Sequence, residues 1–336
     1  MITGERVTDG QFPLPRGRSV SRKKVILDCD PGHDDAVAIL LALASPDELE
    51  LLGITCVAGN VPLALTQKNA LLACELAGAR QTRVFAGCSR PMVRQLVTAE
   101  AVHGQSGLDL PGGKTLPEPG MKLEPMHAVD FIIDTLLTSP PGTITLCPTG
   151  PLTNIAMAMV REPAIVERIA EIVFMGGAAI TPGNVTPAAE FNIYVDPHAA
   201  AIILQSGVPL VMMGLDVTHQ ALVTEKRKAA MRELGGRAAR TVADLMTFYC
   251  AYDIDRYGME GGPLHDPCVI AYLIDESLFT LKHVNVEVET ASPLTLGETV
   301  ADWWMITDRL PNCLVAETVD APGFFALLSE RLGRLP

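Results

Sequence analysis

Short apolar runs alternate with longer helical stretches through the first part of the chain. Val25-Ile26-Leu27 stops at a turn containing Pro31 and Gly32, and Ala36 to Ala44 then reads as a helix. Leu51 to Val57 is a second strand-like run, closed by Gly59-Asn60, with a helix from Leu63 to Ala77 behind it. Val84-Phe85-Ala86 is a third run. Ala128 to Leu137 reads as a helix, and the strand Ile144 to Cys147 after it is closed by Pro148-Thr149-Gly150. Ile172 to Met175 ends in Gly176-Gly177, and Pro209 to Met213 ends in Gly214. Strand alternating with helix at this spacing predicts an α/β fold, a mostly parallel open sheet flanked by helices.

The later part is less regular. Arg237 to Ile254 reads as a long helix and Gly258 to Pro263 as a loop. Another helix begins near Asp266-Pro267, with proline in its first turn. Val284 to Val288 alternates like a half-exposed strand, with Leu294 to Thr299 as its expected partner, and Gly323 to Leu332 reads as a closing helix. Residues 1–22 show no period and read as a disordered tail or the product of a start codon set too far upstream. No linker or repeat divides the rest, so 23–336 is expected to form a single domain.

Composition narrows the function classes. The chain has 336 residues and a formal charge of −13, a poor match for nucleic acid or an anionic membrane. Aromatics are only 5%, against base-stacking platforms. The eight cysteines are scattered, with no C-x-x-C pair, and several lie in apolar runs. They read as buried thiols of a reducing compartment rather than disulfides or a zinc site. No apolar stretch has transmembrane length, and no signal-peptide core is visible, so a soluble cytoplasmic protein is expected.

In an open parallel sheet, ligands bind beyond the carboxyl ends of the strands. There this chain carries Asp28, Asp30, Asp34 and Asp35, then Asn60, Thr149 and Asp216, all expected to converge on one crevice. Four carboxylates within Asp28-Cys29-Asp30-Pro31-Gly32-His33-Asp34-Asp35 repel one another unless a cation neutralises them. A solvated acidic loop is the opposing reading, but an apolar strand leads in and an apolar helix leads out. The donors are all oxygens, which favours Ca²⁺ or Mg²⁺ over Zn²⁺. Glu190 and Asn192, two apart, would point the same way in an extended segment, and Asn184 precedes them in a Gly- and Pro-rich loop. Such groups suit sugar hydroxyls, though loop Asn and Glu are commonly just solvated. His265-Asp266-Pro267 stands at a loop-to-helix junction, where a plain N-cap is the simpler reading. His103, in His103-Gly104-Gln105-Ser106-Gly107, belongs to a glycine loop able to lie over a pocket.

Together these segments resemble the nucleoside hydrolase family of the inosine–uridine-preferring type. The matching motifs are Asp28 to Asp35 with Ala36-Val37-Ala38-Ile39, Val57-Ala58-Gly59-Asn60, Pro148-Thr149-Gly150-Pro151-Leu152-Thr153-Asn154, Met175-Gly176-Gly177, Ala189-Glu190-Phe191-Asn192 and His265-Asp266-Pro267. They occur in the family's order from Lys23 to the last helix. The resemblance implies Ca²⁺-dependent hydrolysis of the N-glycosidic bond of a ribonucleoside substrate, at a site on the carboxyl ends of the strands. It implies metal ligation by Asp30, Asp35, Asp266 and the backbone carbonyl of Thr149, with Asp30 as general base. Asp34, Asn184, Glu190, Asn192 and Asp266 would hold the ribose, Asn60 would support the metal and water, and Met175 would line the ribose pocket. His265 would face the leaving base as its acid, and Asp28 would stand behind the ligands. A homodimer or homotetramer is expected.

In the family's purine-specific branch a Trp stands where this chain has His265, which argues against strict purine specificity, and an inosine–uridine or pyrimidine preference is expected. Tyr252 and Tyr257 could contact the base, or simply pack at a helix end; Trp303 and Trp304 read as structural. One rival is a haloacid-dehalogenase-like Mg²⁺ phosphatase with Asp28 as nucleophile. It lacks the expected Gly-Thr after Asp30 and leaves Glu190, Asn192, His265 and Asp266 without a role. The other is a non-catalytic nucleoside- or ribose-binding relative.

Overall fold

The computed structural model describes residues 22–336, so the expected tail 1–22 lies outside the described residues apart from Arg22. In chain order the elements are β1 (Lys23–Cys29), α1 (His33–Leu43), β2 (Leu49–Cys56), α2 (Leu63–Leu76), β3 (Val84–Ala86), α3 (Glu100–His103), α4 (Ala128–Thr138), β4 (Ile144–Pro148), α5 (Thr153–Arg161) and β5 (Ile169–Met175). Then come α6 (Phe191–Val195), α7 (Pro197–Leu204), β6 (Leu210–Met213), α8 (Leu215–Thr218), β7 (Leu222–Thr224), α9 (Glu225–Glu233), α10 (Arg237–Tyr257) and β8 (Gly261–Pro263). Last are α11 (Pro267–Ile274), β9 (Phe279–Val284), β10 (Val286–Val288), β11 (Thr299–Ala301), β12 (Cys313–Val319) and α12 (Ala321–Leu332).

An eight-stranded sheet runs β3-β2-β1-β4-β5-β6-β12-β9 and is parallel except for the β12–β9 edge pair. Alternate residues of β1 feed opposite faces, as strand geometry demands. Val25, Leu27 and Cys29 join the core under α1, α2, α10 and α11, while Ile26 joins the core under α4, α5 and α7. Helix α1 is buried along nearly its whole length, so it reads as apolar on every side but its first turn. The chain winds outward from β1 to β3, then returns to β4 on the other side of β1. That reversal opens a crevice between the carboxyl ends of β1 and β4, where Asp28–Asp35 and Thr149 sit.

Several boundaries differ from the sequence expectation. Helix α1 starts at His33, putting Asp34 and Asp35 in its first turn, where the helix dipole favours negative charge. The Val284–Val288 run is not one strand. Asn285 breaks it by bonding the Leu310 carbonyl at 3.0 Å, so β9 ends in the main sheet and β10 pairs with Thr299–Ala301. Gly261–Pro263, expected as loop, pairs antiparallel with β7. Helix α10 continues to Tyr257 and stops at Gly258, whose φ of 66° is the left-handed cap glycine tolerates. Strand β12 went unforeseen. Trp303 is half-buried as expected, but Trp304 is 78% exposed beside Lys282, which corrects its structural reading. All eight cysteines are free, and among the described residues no helix is long and apolar enough to cross a membrane.

Candidate active site

Strand β1 delivers Asp28 into full burial. Its Oδ1 accepts bonds from Thr55 Oγ1 (2.5 Å) and Asn154 Nδ2 (2.7 Å), while Oδ2 has no hydrogen-bond partner among the described residues. Asp30 Oδ2 accepts from the Asn60 backbone N–H at 2.6 Å, and its Oδ1 is likewise unpartnered. A Cβ at Gly59 or Gly150 would overlap the Asp30 carboxylate, so both glycines exist to let it in. Asp35 Oδ2 accepts from Gly32 N–H and Asn60 Nδ2, each at 3.0 Å, and its Oδ1 accepts from Thr149 Oγ1 at 2.9 Å. Carboxylate oxygens of Asp34, Asp35 and Asp266 lie within 4.8 Å of one another. The tightest carboxylate group thus contains Asp34, which the resemblance gave to the ribose, with Asp30 standing beside it.

No lysine or arginine among the described residues forms an ion pair with these groups. Burial, followed by repulsion from Asp35, pushes Asp34 up to about 8. Burial lifts Asp28 to about 7 against the bonds from Asn154 and Thr55. Asp30 and Asp266 are raised well above the ordinary range, first by burial and then by their carboxylate neighbours. Unpartnered, buried, all-oxygen acceptors are the donor set a hard divalent cation takes.

Beyond β5, Gly177 adopts a φ of 77° that a side chain would strain, and its N–H donates to Glu190 Oε2 at 2.9 Å. The extended geometry weighed from sequence ends at Glu190, which caps α6 and accepts from Asn192 N–H (2.9 Å) and Ile193 N–H (3.1 Å). Glu190 and Asn192 therefore meet across a helix start, not along one strand face. Burial lifts Glu190 to about 7. Asn192 Nδ2 donates to the Thr149 carbonyl at 2.7 Å and to Met175 Sδ at 3.3 Å. Asn184 Oδ1 accepts from Phe191 N–H at 2.9 Å, which fixes the loop over the site.

These groups face a cavity of about 530 Å³. Its wall includes Asp34, Asn60, His103, Thr149, Met175, Asn184, Glu190, Asn192, Tyr252, Tyr257, His265 and Asp266, all named from sequence. Asp28, Asp30 and Asp35 are fully buried outside that wall. Asp216 does not reach the crevice either. It accepts the backbone N–H groups of Ala179 (2.6 Å), Ile180 (2.9 Å) and Thr181 (2.8 Å), and so shapes the loop leading to Asn184.

At the other end, His265 Nδ1 lies 2.7 Å from Thr218 Oγ1, and its ring centroid is 5.8 Å from that of His219. Burial, then His219, lowers His265 to about 3, so the imidazole is neutral near pH 7. His103 Nδ1 accepts from the His33 backbone N–H at 3.2 Å, and His33 stacks on Phe248 at 5.2 Å. The tyrosines at the end of α10 are wall residues rather than packing: the Tyr257 hydroxyl donates to the Asn184 carbonyl at 3.4 Å, and the Tyr252 and Tyr257 rings meet edge to face. Sequence reasoning missed His219, Tyr249, Asp253 and Met259, which share this wall. The signal was available for Tyr249 and Asp253, which stand one helical turn apart on the face that carries Tyr252 and Tyr257.

The chain is similar to known proteins over nearly its whole length. A Schizosaccharomyces pombe protein of uncharacterized function is 50% identical over 93% of this chain and 100% of its own. The pyrimidine-specific ribonucleoside hydrolase RihA of Photobacterium profundum is 45% identical over 92% of this chain and 98% of its own. The structure of a purine-preferring ribonucleoside hydrolase from Gardnerella vaginalis superposes with a TM-score of 0.85 at 38% identity, covering 93% of this chain and 98% of that one. Residues 25–326 match the family described as inosine-uridine preferring nucleoside hydrolase, and the chain belongs to that family.

Proposed function

We propose that this protein is a Ca²⁺-dependent ribonucleoside hydrolase with a preference for pyrimidine nucleosides. The observation that carries the reading is the unpartnered Asp30 Oδ1 beside the Asp34–Asp35–Asp266 carboxylates, under a cavity whose wall includes the polar side chains of Asn60, Asn184, Glu190 and Asn192. Asp30, Asp35, Asp266 and the Thr149 carbonyl would hold the cation, with Asp34 adding charge next to it. When bound, Ca²⁺ would supply the positive charge these carboxylates lack and lower the pKa of a water.

Asp30 accepts the proton of the attacking water, whose oxygen bonds to the ribose anomeric carbon as the bond to the base nitrogen breaks. Asp34, Asn184, Glu190 and Asn192 orient the ribose, and nearby carboxylates favour the cationic sugar formed in cleavage. The departing base nitrogen keeps the bonding pair and takes a proton from solvent, while Asp30 returns to solvent the proton it accepted from the attacking water. His265 assists as a neutral imidazole: with Nδ1 accepting from the Thr218 hydroxyl, Nε2–H is left to donate into the cavity. Pyrimidine preference is supported by the similarity to RihA, and His265, in place of the purine branch's Trp, argues against strict purine specificity. The phosphatase reading fails on Asp28, whose carboxylate is sequestered by Thr55 and Asn154 away from the cavity wall.

Incubation with uridine, cytidine and inosine, with ribose and free base quantified separately, tests the activity. Equimolar release of the two supports it. Intact nucleoside with every substrate contradicts it.

A further inference from the structure

Glu190 meets the cavity wall with a carboxylate held by three backbone N–H groups. Two of them, from Asn192 and Ile193, belong to the helix that Glu190 itself caps, so they move with it. The third, Gly177 N–H at 2.9 Å from Oε2, fixes the carboxylate to the end of β5. The aim of Glu190 therefore depends on what holds the Gly177 peptide.

The turn after β5 is held from two sides. On the sheet side, the Gly177 carbonyl accepts from Leu215 N–H at 2.9 Å, and Gly176 N–H donates to the Met213 carbonyl at 3.2 Å. On the other side stands Thr299, the first residue of β11. Its buried hydroxyl accepts from Ala178 N–H at 2.8 Å and donates to the Ala178 carbonyl at 2.7 Å, across 121 residues of sequence. One side chain thus makes both bonds that a neighbouring strand's backbone would make. A Cβ on Gly177 would lie 2.9 Å from Thr299 Cγ2, so the two residues are in contact. The β10–β11 pair lies outside the eight-stranded sheet, and neither strand contributes a residue to the cavity wall. Thr299 is where this pair reaches the site.

We propose that Thr299 is a positioning residue for ribose recognition: its hydroxyl fixes the Ala178 peptide, which aims the Gly177 N–H at Glu190. The proposal rests on the ribonucleoside reading, in which Glu190 orients the ribose, and extends it to a residue outside the cavity wall. Removing the hydroxyl leaves a buried donor and acceptor of Ala178 unpaired, and the peptide turns toward other partners. Gly177, with a φ of 77° and no Cβ, resists that turn least. Glu190 then keeps its helix-cap bonds and loses its tie to β5.

The test uses Ca²⁺-loaded protein with uridine and its 2′-, 3′- and 5′-deoxy analogues. Wild type, Thr299→Val, Thr299→Ser and Glu190→Gln are compared by kcat/KM or, for an analogue that turns over too slowly, by its inhibition constant against 4-nitrophenyl riboside. Thr299→Val should lower kcat/KM for uridine about 10-fold, chiefly through KM, the scale of one hydrogen bond. Thr299→Ser keeps the hydroxyl and should stay within about threefold of wild type. Glu190→Gln identifies the ribose hydroxyl that Glu190 meets, because its effect shrinks on the analogue lacking that group. Thr299→Val should lose its effect on the same analogue; a merely structural role would not single out one hydroxyl. Equal losses on all the compounds overturn the proposal, as does an unaltered KM in Thr299→Val or a Thr299→Ser that behaves like it. If Thr299→Val does not fold, Thr299→Ala against Thr299→Ser gives the same contrast. If Glu190→Gln changes nothing, the proposal falls while the hydrolase reading stands. If wild type releases ribose from no nucleoside, the hydrolase reading fails on its own. The same proteins are then compared by calorimetric Kd for uridine and its analogues, where a hydroxyl-specific loss shared by Thr299→Val and Glu190→Gln supports the positioning role and a uniform or absent loss overturns it.

Discussion

The Thr149 hydroxyl donates to Asp35 Oδ1 across 2.9 Å, tying the segment after β4 to the first turn of α1, 114 residues away in sequence. The same residue's carbonyl accepts from Asn192, so the end of β4 couples the carboxylate group to the Glu190–Asn192 segment. Replacing Thr149 with Val removes the donor while nearly preserving shape. Groups that orient metal ligands commonly contribute 10- to 100-fold in affinity, and Thr149→Val should weaken Ca²⁺ binding by about that factor, with Thr149→Ser restoring it. Chelator competition reads the change directly; an unaltered affinity in Thr149→Val would remove this coupling.

The carboxylates also fix the sign of the pH dependence. Asp28 and Asp34 titrate at about 7 and about 8 in the fold, above their unfolded values near 4. A raised carboxyl pKa means that the folded state holds protons the unfolded chain has released. Their contribution is fully present below about pH 4 and is lost as pH rises through 7 to 8. The Tm of chelator-stripped protein should therefore fall between pH 5 and 8, by at least ~5 °C, while Ca²⁺-loaded protein should hold its Tm. A stripped protein that gains stability over this window would contradict the assignment.

How much of this was legible from sequence depended on whether a residue's partners are local. Asp28 to Asp35 declare themselves, because a strand, a Pro-Gly turn and an apolar helix fix where four carboxylates go. Asn60 and Thr149 follow from the strands that precede them. Strand β12 was hidden because its place between β6 and β9 is set by nonlocal pairing. Glu190 misled because its capping bonds to Asn192 and Ile193 turn the chain into a helix start. Asp216 misled because its strand does end at the crevice, yet its carboxylate is spent on three backbone N–H groups. Asp253 and His219 have no motif of their own; they matter only once α10 and α8 are seated against the cavity.

His265 separates leaving-group assistance from ribose binding. With inosine or uridine, His265→Ala should lower kcat by on the order of 10²-fold. With 4-nitrophenyl riboside, whose leaving group needs no proton, the loss should be far smaller. Since Asp266 is adjacent, Ca²⁺ content is measured in the same samples. Equal losses on both substrates would assign His265 to the metal site, and a change confined to KM would make it a binding residue.

Asp30→Asn keeps the shape of the side chain, and its bond from Asn60 N–H, but cannot take a proton from water. A fall in kcat of at least ~10²-fold is expected, with ribose recognition retained in KM. Turnover like that of wild type would mean another group activates the water.

Ribonucleoside hydrolysis should depend on a divalent cation held by the buried carboxylates. Ribose release from cytidine and uridine should be followed in protein stripped with excess chelator, then after stoichiometric Ca²⁺ is returned. The account predicts near-zero release when stripped and recovery at about one Ca²⁺ per chain, the occupancy of a single oxygen-ligand site. Full turnover in the stripped protein would contradict it.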